Sequence, residues 1–245
     1  MTTALLQVRL RGKHYGARRV IDAIDFDVAP GEIVSLVGPS GCGKSTLLRL
    51  IASLDRDYTG RIALDGRALT GITRDIGLVF QEPRLFPWLD VADNVAFDSG
   101  RSGRRDRLAL DLLAEVGLAG YERALPRSLS GGQAQRVAIA RGLYTKPRLL
   151  LLDEPFSAVD AFTRMKLQDL LLGVARHHGI ALLLVTHDLD EALYLSDRVL
   201  MLDADPGRLH QELRVPLAHP RDRRDLRLAE LKADALTGLQ AIHSF

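Results

Sequence analysis

The segment Gly31–Leu54, GEIVSLVGPSGCGKSTLLRLIASL, constrains the fold more than any other part of the 245-residue chain. Ile33–Val37 is short, apolar and β-branched, a glycine-rich turn follows, and Lys44–Leu54 then carries helical apolar spacing. A strand, a tight turn and a helix in direct succession belong to a layered α/β core. The alternation recurs along the chain. Strands are expected at Leu5–Leu10, Val20–Val28, Ile33–Val37, Arg61–Leu64, Asp75–Phe80, Leu149–Leu152, Ile180–Val185 and Arg198–Leu202. Helices are expected at Lys44–Leu54, Asp106–Val116, Gly131–Leu143, Ala161–His177, Leu189–Leu195 and Leu226–Leu239. From Val91 to Lys146 only helical patterns remain, which predicts a helical insert within a largely parallel α/β core.

Within the glycine-rich turn, Gly38-Pro39-Ser40-Gly41-Cys42-Gly43-Lys44-Ser45-Thr46 has the spacing of a phosphate-binding loop. Glycines let successive backbone N–H groups face one anion, and the helix N-terminus adds partial positive charge. Lys44 is expected to reach the β- and γ-phosphates of a nucleotide, and the Ser45 hydroxyl to ligate Mg²⁺. Cys42, the only cysteine, rules out an internal disulfide and a cysteine-built metal site. It is either a small filler residue or a thiol activated by the helix N-terminus.

Arg148-Leu-Leu-Leu-Leu-Asp153-Glu154-Pro155 ends an apolar strand in two consecutive carboxylates. Both can reach the site at the strand's end, Asp153 to hold Mg²⁺ and Glu154 to polarise an attacking water. The second acid points to hydrolysis rather than to binding alone.

Leu129-Ser130-Gly131-Gly132-Gln133 opens another helix. Ser130 and Gln133 have the spacing of a capping box. A cap does not call for two glycines, and the bare N–H groups they leave, with the Ser130 hydroxyl, make a second anion site.

These motifs together resemble the nucleotide-binding subunit of ATP-binding cassette (ABC) transporters, over essentially Leu5–Leu213. The resemblance implies a RecA-like P-loop NTPase core, mainly parallel but with N-terminal antiparallel strands, and an inserted α-helical subdomain. It implies one ATPase domain over 1–245, with the core at about 1–82 and 148–214, helices at about 83–147 and a tail at 215–245. Tyr15 resembles the aromatic that stacks on adenine, and Gln81 the glutamine that senses Mg²⁺ and links to the membrane subunit. Ser157-Ala158-Val159-Asp160 resembles the loop crossing a dimer interface, and His187 the histidine that contacts the γ-phosphate. Arg136 lies in the stretch that continues the signature helix. ATP and Mg²⁺ would then sit between the phosphate loop of one copy and Ser130–Gln133 of a second.

Departures from the pattern are small: Val159 for leucine, Ala134 for a basic residue, and a short loop-like Asp98–Arg105. Stretches such as Val79–Phe97 and Asp153–Leu171 look most like the nitrate, taurine and aliphatic-sulfonate import group. The apolar Glu82–Trp88 segment is either a socket for a permease helix or ordinary interdomain packing.

Composition closes off other classes. Lys plus Arg total 33 against 31 for Asp plus Glu, too even for a nucleic-acid clamp. No apolar run approaches the roughly 20 residues of a membrane span, and Met1–Gly16 lacks an export-signal pattern. The expected setting is peripheral, on the cytoplasmic face of the inner membrane. Partners implied are a second copy, integral-membrane permease subunits and, indirectly, a solute-binding protein. Repair-type relatives carry long insertions and a small-molecule kinase has no use for LSGGQ; a cassette serving another ABC system stays open as the alternative.

Overall fold

A computed structural model describes residues 4–100, 102–203 and 206–242. The chain forms two compact units, one from Met1–Ile72 with Ala181–Phe245, the other from Thr73–Ile180.

In the first unit, β1 (Leu6–Tyr15) pairs antiparallel with β2 (Arg18–Ile21), with β3 (Ile24–Val28) and with β5 (Thr59–Leu64). A two-residue strand β6 (Arg67–Ala68) pairs antiparallel with the end of β5. The expected single strand Val20–Val28 is thus two. Asp22 breaks it, forming ion pairs with Arg19 and Arg208, and its two halves pair with opposite ends of β1, the β2 half with a bulge at Lys13/His14.

A second sheet of this unit runs β11 (Leu209–Arg214), β10 (Arg198–Leu202), β4 (Ile33–Val37), β9 (Ala181–Val185), with β4 parallel to both β9 and β10. β4 and β9 are buried at every position, as continuous apolar strands of a parallel sheet must be. The edge strand β11 (Leu209–Arg214) had no place in the sequence reading. Its alternation is muted because its inward residues, Leu209, Gln211 and Leu213, are only half buried.

Helix α1 (Lys44–Ile51) stops short of the expected Leu54 because Ser53 turns left-handed at φ 57°, so that the Leu54 N–H bonds back to the Arg49 carbonyl. Helix α6 (Leu189–Leu195) follows β9, and α7 (Leu226–Ile242) closes the chain. The tail is a docked element. Val215, Leu217 and Ala235 join Leu189, Leu193 and Met201 in one cluster, and buried Arg221 donates to the carbonyls of Leu193, Tyr194, Ser196 and Leu217. It thereby satisfies carbonyls that the end of α6 leaves without helical partners.

In the second unit, β7 (Ile76–Val79) lies parallel to β8 (Leu149–Asp153). Between them come α2 (Val91–Val95), α3 (Arg107–Glu115) and α4 (Gly131–Leu143), and α5 (Ala161–His178) follows β8. The short Asp98–Arg105 stretch falls into two 3-10 turns, at Phe97–Ser99 and Gly103–Arg105, with residue 101 outside the described residues. Gly103 is required there: any Cβ would overlap the Ala92 carbonyl.

Candidate functional site

Chain leaving β4 enters the phosphate loop. A Cβ on Gly38 would lie 2.7 Å from the Leu202 carbonyl oxygen, and Gly41 and Gly43 sit at φ 84° and 94°, so glycine is demanded by contact at one position and by backbone conformation at the others. The Lys44 ammonium is buried and bends across its own loop, donating to the carbonyls of Gly38 at 2.7 Å and Pro39 at 2.8 Å. No side chain caps α1 at Gly43, and a Cβ on Gly41 would meet open space. The helix N-terminus that begins Lys44-Ser45-Thr46 is thus available to an anion.

Cys42 lies 3.8 Å from the Lys44 ammonium but is buried, and burial pushes its thiol above the ordinary range. Burial thus opposes the helix-activated thiolate considered from sequence, and Cys42 packs as a small residue of the loop.

His187 emerges two residues beyond β9, whose Val185 is in register with Leu36 of β4, and the Thr186 N–H donates to the Leu36 carbonyl at 3.1 Å. The phosphate loop and exposed His187 consequently leave the same edge of the sheet on neighbouring strands. Asp188 caps α6 by accepting from the N–H groups of Asp190 and Glu191, which fixes the turn that carries His187.

Tyr15, at the end of β1, donates its hydroxyl to Asp55 at 2.8 Å and shares a hydrogen bond with the Thr46 hydroxyl. The Lys13 ammonium stands 4.5 Å from the ring centroid. Sequence reasoning missed Gly207. It bonds to Val20 and Asp22 through its backbone, and a Cβ there would overlap the Cys42 carbonyl, so it braces the phosphate loop from behind. A lone glycine in PGRL gives no sign of that.

In the second unit, β8 delivers Asp153 at its last position and Glu154 just beyond, at φ 45°. A left-handed glutamate is uncommon, and such strain gathers at working sites. Ser157 ties this turn together. Its N–H and hydroxyl both bond to the Glu154 carbonyl, at 3.2 and 3.0 Å, and the Gln81 amide donates to its hydroxyl at 3.3 Å. Gln81, two residues past Val79, reaches the same edge as the acidic pair because Val79 is in register with Leu152.

The signature forms the expected capping box: the Ser130 N–H donates to Gln133 Oε1 at 2.8 Å, and the Gln133 N–H to Ser130 Oγ at 3.3 Å. The two glycines separate in kind. Gly131 is exposed, whereas Gly132 is buried, and a Cβ there would meet Thr163 Cγ2 at 2.6 Å. Packing against the start of α5, not only bare N–H groups, accounts for the second glycine. Asp160 caps α5 from the adjoining loop, and the Thr163 hydroxyl, with the N–H donors of Thr163 and Phe162, holds its carboxyl below the ordinary range. Arg136 donates to the Val116 carbonyl at 3.2 Å, a packing contact within the helices.

The Glu82–Trp88 segment is pinned by buried Asn94, whose amide donates to the carbonyls of Phe86, Leu89 and Asp90. Trp88 is 72% exposed and joins Phe86 and half-exposed Phe97 in an aromatic patch.

A family model described as "ABC transporter" matches residues 21–157. The aliphatic sulfonates import ATP-binding protein SsuB 1 of Xanthomonas axonopodis pv. citri is 56% identical, over 100% of both chains. SsuB 2 of Burkholderia cenocepacia is 59% identical, over 98% of this chain and 88% of its own length. Among solved structures, cbiO1 of Clostridium perfringens, part of an ABC transporter complex, superposes with a TM-score of 0.79 at 25% identity, covering 98% of this chain and all of that one. An ATP-binding cassette dimer in a post-hydrolysis state with ADP and phosphate bound gives 0.74 at 30% identity, covering 87% and 100%. The chain belongs to the ABC transporter family, and it is an ATPase of that family.

Proposed function

We propose that the chain is the ATP-hydrolysing subunit that energises import of aliphatic sulfonates or closely related small solutes. The observation that carries the solute class is full-length identity of 56–59% to proteins named for that import. Both units act as one ATPase domain, with the helices at about 83–147 serving the membrane partner.

The residues fit a nucleotide. Gly38–Thr46 cradle the phosphate chain with backbone N–H groups, Lys44 supplies its charge, and Tyr15 offers its ring to the base. Ser45, Gln81 and Asp153 are the residues whose oxygens would hold Mg²⁺, a hard cation that takes oxygen ligands. When bound, Mg²⁺ neutralises charge on the phosphate oxygens. Glu154 orients and deprotonates the attacking water, and its left-handed backbone, held by Ser157, aims the carboxylate. His187 donates to the γ-phosphate. Ser130, Gly131, Gly132 and Gln133 of a second copy, with its Asp160, complete the phosphate shell, so ATP closes a head-to-tail dimer and loss of the γ-phosphate opens it.

The exposed patch of Phe86, Trp88 and Phe97 receives permease subunits at the cytoplasmic face of the membrane, and a solute-binding protein acts through those subunits. The test is ATPase activity of the chain with its permease in lipid vesicles. Stimulation by binding protein loaded with an alkanesulfonate, and not with nitrate, supports the reading; the reverse preference overturns it.

A further inference from the structure

We infer that Glu115, His177 and His178 form a binding site for a first-row divalent metal of the zinc type. The three residues belong to none of the motifs assigned to ATP. Glu115 is the last residue of α3, and the two histidines are the last two of α5.

Consecutive residues of a helix point about 100° apart, so two neighbouring histidines do not ordinarily share a target. Here they do so by using opposite ring nitrogens. His177 places Nδ1 2.9 Å from Glu115 Oε1, and His178 places Nε2 2.9 Å from Oε2. One ligand atom from each residue lies within 4.8 Å of the other two. Ligand atoms around a tetrahedral zinc, with bonds of about 2.0–2.2 Å, stand roughly 3.3 Å apart. The donors therefore need only small shifts to enclose an ion.

The surrounding field favours a cation. Both α3 and α5 end at the cluster, and helix C-termini carry partial negative charge. Two imidazoles and one carboxylate select zinc, nickel or copper over magnesium and calcium, which take oxygen ligands. Each ring now points one nitrogen at Glu115. On metal binding that nitrogen offers its lone pair; in a neutral ring the proton moves to the opposite nitrogen, and a charged ring releases one to solvent. Three protein ligands leave a fourth position for water. The ion would pin the end of α3 to the end of α5.

The test is calorimetric titration of the full chain with zinc chloride at neutral pH, with magnesium in excess. One equivalent should bind in the micromolar range, and Glu115→Gln and the double variant His177→Gln/His178→Gln should each weaken it by about 10-fold or more. The glutamine side chains keep hydrogen-bonding capacity at an exposed helix end, and unchanged ATP affinity in both variants confirms that they fold. Zinc that binds the variants as tightly as the parent, or no binding by the parent, overturns the site.

Discussion

Tyr15 is 47% exposed, yet three groups fix its position. Lys13, only 1% exposed, sits over the ring and bonds to Asp55 at 2.9 Å and to the Asp57 carbonyl at 2.7 Å, while Asp55 accepts from the tyrosine hydroxyl. Burial alone would raise Asp55, but hydrogen bonds from Lys13, the Asp57 N–H and Tyr15 hold it below the ordinary carboxylate range. Its stabilising effect is thus present above that range and lost as pH falls through its own lowered pKa. Lys13 behaves in the opposite sense. Burial would lower it, but the two aspartates hold it above the ordinary lysine range, so its effect persists until alkaline pH. Lys13→Met should destabilise the protein by roughly 2–3 kcal/mol at neutral pH, less than a fully enclosed pair because Asp57 is solvated. Urea unfolding at pH 7 and pH 3 checks this, with the difference between parent and variant shrinking in acid. Tyr15 was singled out in the sequence as a candidate for the base. The network behind it was not, because Lys13 and Asp55 meet across 42 residues and no spacing rule links them.

Elements decide how the signature works. Gly132 touches Thr163, so α4 can begin where it does only if α5 begins beside it. Gly132→Ala should gain at most about 1 kcal/mol of helix propensity and lose about 1–3 kcal/mol to overcrowding, for a net lowering of stability. Thr163→Ser removes the methyl in the way and keeps the hydroxyl that bonds to Asp160, so the double variant should recover most of the loss. Thermal unfolding of the two single variants and the double variant measures it; equal losses with and without Thr163→Ser would refute the contact. The apolar strands β4, β8 and β9 and the helices α3 to α5 were readable because burial writes itself as period and composition. Less was readable where polar groups set the course. The break at Asp22, the polar edge strand β11 and the docking of the tail through Arg221 each depend on partners distant in sequence.

At the scale of the molecule, the site residues divide between the two units. Tyr15, the phosphate loop and His187 belong to one; Gln81, the acidic pair, Asp160 and the signature belong to the other. The motif order in the sequence carried the family, since each motif is local, whereas the use of a second copy rests on chemistry that no single chain displays. The signature's exposed N-terminus at Ser130 and Gly131 is the feature that calls for a partner, because a capping box alone needs none. The direct measurement is the mass of Glu154→Gln in solution by light scattering, with and without Mg-ATP, beside the same variant carrying Ser130→Ala. The account predicts a monomer without nucleotide, a dimer with Mg-ATP, and a monomer that still binds ATP once Ser130 is replaced. A Glu154→Gln protein that stays monomeric when saturated with Mg-ATP, or one whose dimer ignores Ser130, would contradict it.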